Sequence, residues 1–170
     1  MNPLLIPSLE GLTPASRDIH AEIDSFNDRY VASLDEKRLN EWPRFFCEKC
    51  FYRIHSAENL EHGLPGDIMF ADSQEMLKDR ILCLTEVSVF EPHRALHVLG
   101  RSRCAQGPDN SFIASTNFSV YHTNVEGRSR LFAVGQYRDI VIREQDDWRF
   151  RGKVVILDTF NVTSHLAEPL

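Results

Sequence analysis

At 170 residues, with 42% hydrophobic and 26% charged residues, the chain has the composition of one soluble globular domain, long enough to build a core without staples. Its net charge of −6 argues against a nucleic-acid partner, because binding phosphates wants a basic excess. No apolar run approaches the roughly 20 residues of a bilayer span, and the N-terminus lacks the basic region and long apolar run of a signal peptide. A cytoplasmic protein with reduced cysteines and no membrane partner is the expectation.

Residues 1–13 are expected to form an N-terminal tail and 14–170 a single domain. Thr13-Pro14 supplies a helix N-cap followed by proline at the first helical position. Ile19, Ile23, Phe26, Tyr30 and Leu34 then recur at three- and four-residue spacing, the apolar stripe of an amphipathic helix. Asp35 is placed to cap a shorter second helix through Leu39, and Trp42-Pro43-Arg44-Phe45-Phe46 closes a turn that buries three aromatics. Phe51 to His55 predicts a short strand, and Ser56 to Asp72 a loop rich in Gly, Pro and acids. Asp72 with Glu75 has the form of a capping box for a third helix, with Met76, Leu77, Ile81 and Leu84 on its core side.

From His93 onward the pattern is strand: one through Cys104, then three more separated by turns at 107–110, 126–127 and 145–147. Phe112, Ala114, Thr116, Phe118 and Val120 fall at every second position. In the last strand Trp148, Phe150, Val154, Ile156 and Phe160 share one parity, and Arg149, Arg151 and Lys153 the other. Alternation therefore predicts an apolar face on the core and a basic face outward. The outward set Arg138, Arg143, Arg149, Arg151 and Lys153 suits a subunit interface as well as water. The apolar ending Leu166-Ala167-Glu168-Pro169-Leu170 would be stabilised by docking on a neighbour.

Chemical motifs are sparse. Cys47-Glu48-Lys49-Cys50 is a CxxC without a second pair at zinc-site spacing, flanked by Phe45, Phe46, Phe51 and Tyr52; Cys83 and Cys104 are expected as small core residues. His93 and His97 on one strand face stand about 13 Å apart, too far to share a metal. No C-x-H…C-x-x-H pattern for a Rieske centre occurs. Candidate acid–base residues in a concave sheet are Tyr30, His55, His97, Tyr137 and Asp158. Asp158 shares parity with Trp148, Val154 and Ile156, so it should point to the apolar side, where a carboxylate must be paired or carry a raised pKa.

Helices first and strands afterwards give an α+β fold with helices on one face of a long, curved antiparallel sheet. That order is similar to the cystatin-like cone of ketosteroid isomerase and scytalone dehydratase, a fold that hosts enzymes and inert assembly subunits alike. Two segments sharpen the resemblance. Trp42-Pro43-x-Phe45-Phe46-x-x-x-Cys50-x-Tyr52-Arg53, followed by Ala71-Asp72-Ser73-Gln74-x-Met76-Leu77-x-Asp79-Arg80-Ile81, resembles the small (β) subunit of bacterial aromatic-ring-hydroxylating oxygenases. Arg94-x-x-His97-x-x-Gly100, Leu131-Phe132-x-x-Gly135-x-Tyr137-x-Asp139 and Asp158 continue the match, which is most similar to small subunits acting on terephthalate, salicylate or anthranilate. The resemblance implies a non-catalytic subunit, with no catalytic, cofactor-binding or metal residues of its own, in an α3β3 complex. The large (α) subunit would carry the Rieske [2Fe–2S] cluster and mononuclear Fe(II), and a separate reductase would use NADH. The alternative is an independent isomerase- or dehydratase-like enzyme with a pocket around Asp158, His97 and Tyr137.

Overall fold

The computed structural model describes residues 6–64, 66–86, 92–159 and 168–170. Helix α1 (Arg17–Asp35) carries the predicted stripe, with Ile23, Phe26, Tyr30 and Leu34 buried. It starts later than Thr13-Pro14 suggested. Ser16 is the cap, its hydroxyl accepting from the Ile19 N–H, because the preceding residues are claimed by the sheet. Pro14 bridges Ala105, and the Gln106 and Ala15 N–H groups donate to the Thr13 and Cys104 carbonyls. Asp35 ends α1 and caps nothing; a 3-10 helix, Leu39–Phe45, follows from Arg38 and buries Trp42.

Strand β1 (Phe46–Ser56) is eleven residues, longer at its start than Phe51–His55. The expected loop contains a short helix, α2 (Ala57–Glu61), and a short strand, β2 (Met69–Ala71). Helix α3 (Gln74–Glu86) takes its side-chain acceptor from Ser73, which receives the Met76 N–H, and not from Asp72. Leu77, Ile81 and Leu84 are buried, whereas Met76 is exposed. Cys83 is exposed too, so only three of the four cysteines are core residues. The strand expected from His93 through Cys104 is broken at Gly100 into β3 (His93–Leu99) and β4 (Arg103–Gln106). Three long strands complete the sheet: β5 (Phe112–Asn124), β6 (Ser129–Glu144) and β7 (Asp147–Leu157). Phe160 lies outside the described residues.

The sheet runs β2-β1-β7-β6-β5-β3, with β4 also on β5. Every pairing is antiparallel except β1 with β7, which is parallel, so the sheet is mixed. Helices α1 and α3 lie on its concave face, and the main core sits between them and the sheet. A second cluster, Ile6, Ile113, Val154 and Ile156, covers part of the other face, with Leu9 and Leu12 packed on it. No helix among the described residues is long and apolar enough to cross a membrane.

One irregularity reorders the last strand. Val141 pairs with Phe150 but Ile140 pairs with Gly152, so Arg151 is an extra residue in β7. A bulge of this kind bends the strand and inverts side-chain parity beyond it. Before it Trp148 and Phe150 face the main core; after it Val155 and Leu157 do, while Val154 and Ile156 join the outer cluster. Two expectations fall with that inversion. Lys153 is not an outward basic residue but is fully buried in the main core. Asp158 does not point to the apolar side; it is exposed, its backbone N–H held by the Val134 carbonyl.

Candidate functional site

The concavity of a cone is where its chemistry would reside, and here side chains of α1, the 3-10 helix, β1, β6 and β7 fill it. Tyr30, Trp42, Tyr52, Tyr137, Phe150 and Lys153 are all fully buried. Among these rings sits one ion pair that the sequence reasoning missed. Lys153 Nζ donates to both Asp139 carboxylate oxygens, at 3.1 and 3.2 Å, and neither side chain is exposed at all. The ammonium also lies over the rings of Tyr137, Phe150 and Tyr30, at 3.8, 4.4 and 4.6 Å from their centroids. Ring faces carry negative potential, so the cage favours a cation and would disfavour a bare carboxylate. Burial raises the Asp139 carboxyl to about 6, with Lys153 pulling the other way. Burial likewise lowers the Lys153 ammonium, opposed by Asp139.

The five predicted acid–base residues do not converge. Tyr30 and Tyr137 do meet, edge to face, with centroids 6.3 Å apart. Burial drives both hydroxyls well above the ordinary phenol range, so neither serves as a base near neutrality. The Tyr137 hydroxyl has no hydrogen-bond partner among the described residues. His97 is clipped to the end of α1: its ring Nδ1 lies 2.6 Å from Asp35 Oδ1, and its backbone N–H donates to Oδ2 at 2.9 Å. Asp35 thus ties the helix to β3, which explains why it leaves no cap for a further helix. His55 Nε2 approaches Asp67 Oδ1 at 2.6 Å, a close ion-pair contact out of hydrogen-bond alignment, and Arg53 holds the other oxygen at 2.9 Å. Asp158, exposed, is apart from all of these.

The remaining candidates carry no shared site. Cys47 and Cys50 are buried on β1, and burial pushes their thiols up to about 11 and about 12. A thiol at that height carries almost no nucleophilic thiolate at neutral pH. His93 stacks on His122 at 4.1 Å, and His122 stacks in turn on Phe132 at 3.8 Å. Among the described residues no three His, Cys, Asp or Glu side chains are grouped to hold a metal. Two surface depressions, of about 170 and 190 Å3, lie beside α1, and neither is lined by Lys153 or the buried tyrosines.

His122 gives this region a definite acid response. Burial, then repulsion from His93, lowers its pKa to about 4. A depressed histidine resists protonation only when folded, so its stability contribution is present above the unfolded value near 6.5 and is lost as pH falls towards 4. Discounted for partial exposure, the loss is about 1–2 kcal/mol. Urea unfolding at pH 7 and pH 4.5 measures it, and His122→Phe, which keeps the stack, should flatten the difference.

Comparison with known proteins identifies the family. A profile of the family described as "Ring hydroxylating beta subunit" matches residues 29–164. The anthranilate 1,2-dioxygenase small subunit of Burkholderia cepacia is 35% identical over 149 residues, 88% of this chain and 92% of that protein. The terephthalate 1,2-dioxygenase terminal oxygenase component subunit beta 1 of Comamonas is 34% identical, over 88% and 97% of the two chains. The crystal structure of the β subunit of a proposed aromatic-ring-hydroxylating dioxygenase from Novosphingobium aromaticivorans superposes with a TM-score of 0.82 at 29% identity, covering 91% of this chain and 98% of that one. A cone whose interior is packed with aromatic rings around a neutralised ion pair, on a sequence matched across this length, belongs to the ring-hydroxylating dioxygenase β-subunit family.

Proposed function

We propose that this subunit is non-catalytic and acts by assembly in the cytoplasm. Its partner would be a large α subunit carrying a Rieske [2Fe–2S] cluster and mononuclear iron, with electrons supplied from NADH by a separate reductase. Three copies of each would form an α3β3 complex that hydroxylates an aromatic carboxylate, the class that names both curated relatives, anthranilate and terephthalate. The observation that carries this reading is the cone itself: the space a cone enzyme uses for substrate is occupied by Tyr30, Trp42, Tyr52, Tyr137, Phe150 and Lys153. Asp158, His97 and Tyr137, the residues of the alternative enzyme, occupy unlike settings: exposed, clipped to Asp35, and fully buried.

Assembly needs a surface, and the sheet offers one. Leu96, Tyr121 and Leu131 are register neighbours across β3, β5 and β6, and are 58%, 39% and 53% exposed. Such a row supports burial against a partner, because contiguous exposed apolar side chains mark interaction sites. The double variant Leu96→Asp/Leu131→Asp should leave the isolated chain's melting temperature within about 2 °C, since surface changes alter stability little. It should lower recovery of the complex by tenfold or more, the size of a lost interface anchor of about 2 kcal/mol. The decisive experiment tags the chain in its native host and records native mass and visible spectrum. Co-elution with a larger, Rieske-absorbing subunit in equal number is the expected result; a colourless homo-oligomer of the 19.6 kDa chain alone would overturn it.

A further inference from the structure

Of the ending Leu166–Leu170, expected to dock on a neighbour, Leu166 and Ala167 lie outside the described residues, and Glu168–Leu170 reach into this chain's own cone. Leu170 is buried in the main core. Its carbonyl accepts hydrogen bonds from the Tyr30 hydroxyl at 2.7 Å and the Tyr52 hydroxyl at 3.1 Å, and its N–H donates to the Tyr52 oxygen at 2.9 Å. Trp42 Nε1 donates to the Tyr30 oxygen at 3.1 Å, which orients that phenol towards Leu170. Pro169 is buried as well and, as a proline, has no N–H to satisfy. Glu168 stays at the rim, 2.5 Å from Lys37 Nζ and 3.8 Å from His93 Nε2.

Filling a core does not require this polar equipment. A hydrophobic core is satisfied by side chains without polar atoms, and every buried hydroxyl brings a partner requirement with it. A binding site has the opposite composition: mostly apolar walls with a few converging polar groups. Here two phenols, one oriented by an indole, converge on the backbone of a single residue 118 and 140 residues away. A third phenol, Tyr137, meets Tyr30 edge to face with centroids 6.3 Å apart, and its hydroxyl has no partner among the described residues.

We propose that the cone interior is a peptide socket for a leucine that presents its own N–H and C=O and has an acidic residue two positions before it. Glu168–Leu170 fills the socket in cis, and the same segment of a second copy is the ligand it takes in trans. Tyr30 and Tyr52 read the leucine backbone, the main hydrophobic core takes its side chain, and Lys37 reads the acid at the rim. The proposal rests on the cone alone, so it stands or falls apart from the oxygenase reading.

The test uses the full chain carrying Leu170→Gly, which empties the socket, and a fluorescent acetyl-Leu-Ala-Glu-Pro-Leu-amide peptide followed by anisotropy. Saturable binding is expected, about tenfold or more tighter than to the wild-type chain, whose own segment competes. A peptide ending in Gly, or a Tyr30→Phe change in the same background, should weaken it about tenfold. A folded Leu170→Gly chain that ignores the peptide, or binds both peptides alike, would overturn the proposal. Should Leu170→Gly fail to fold, Glu168→Lys leaves the core intact and cuts only the rim ion pair. It should take up more peptide than the wild type, and equal uptake would overturn the proposal just as firmly.

Discussion

Lys153→Met should lower the folding stability of this chain by about 3 kcal/mol at pH 8, the low end of the range expected when one partner of a buried ion pair is removed. For a domain of this length that is a fall of roughly 6–12 °C in melting temperature. The cause is local. Among the described residues Lys153 supplies both hydrogen bonds that Asp139 receives, and the rings of Tyr137, Phe150 and Tyr30 around it offer nothing to an anion. The sign of the pH dependence separates this account from simple loss of packing. Asp139 already has a folded pKa raised to about 6, so its contribution is present below its unfolded value and is lost as pH rises through about 6. Lys153 is what pulls that value down, so removing it extends the losing range upward. The gap between wild type and variant should therefore be small at pH 5, where Asp139 is protonated in both. It should then open by about 1.4 kcal/mol per pH unit above 6. Urea denaturation from pH 5 to 8 measures it. A gap that stays flat would show that Lys153 does not act through Asp139. Asp139→Leu/Lys153→Met, apolar and of similar volume, should recover most of the loss and abolish the slope.

That pair also shows where sequence reasoning stops. The inward face of β5 was legible, because Phe112 through Val120 keep one parity with no irregularity between them, and the register shift falls just after Val120. The stripe of α1 was legible for the same reason. In β7 the alternation holds only as far as Phe150. Counting back from the turn, Glu144 pairs with Asp147 and Val141 with Phe150, and an unbroken ladder would set Asp139 opposite Gly152. The extra residue, Arg151, slides Lys153 into that place. One inserted residue thus turned an outward basic stripe into a buried cation and moved Asp158 from core to solvent. A signal was present, since glycine inside a strand often marks a bulge, and Gly152 stands beside it. The docking of Leu170 had no such local mark: its partners Tyr30 and Tyr52 are far away in sequence and are brought together only by the finished cone.

Gly135→Ala should be the other severe substitution, and it bears on what the motif Leu131-Phe132-x-x-Gly135-x-Tyr137-x-Asp139 is for. A Cβ at Gly135 would stand 2.1 Å from the Ile156 carbonyl oxygen and 3.1 Å from Phe118 Cζ. The first of these is backbone of the adjacent strand, which cannot yield without parting β6 from β7, where Gly135 pairs with Leu157. A loss of about 3 kcal/mol, the upper range for overpacking, is expected by urea titration. Gly152 provides the control. Its added Cβ would strike the Phe51 ring at 2.3 to 2.9 Å, a side chain that can be trimmed. Phe51→Leu should therefore rescue Gly152→Ala, whereas Phe118→Leu should not rescue Gly135→Ala. Equal rescue in both cases would mean that β7 moves freely, and that Gly135 is not needed for the close approach of the strands. If the asymmetry holds, the motif has a structural meaning throughout. Gly135 lets β7 approach, Tyr137 receives Phe118 in a stack at 4.2 Å, and Asp139 holds the buried Lys153. Of the candidate acid–base residues only Tyr137 belongs to this motif, and its ring is held between the Phe118 stack and the Lys153 ammonium.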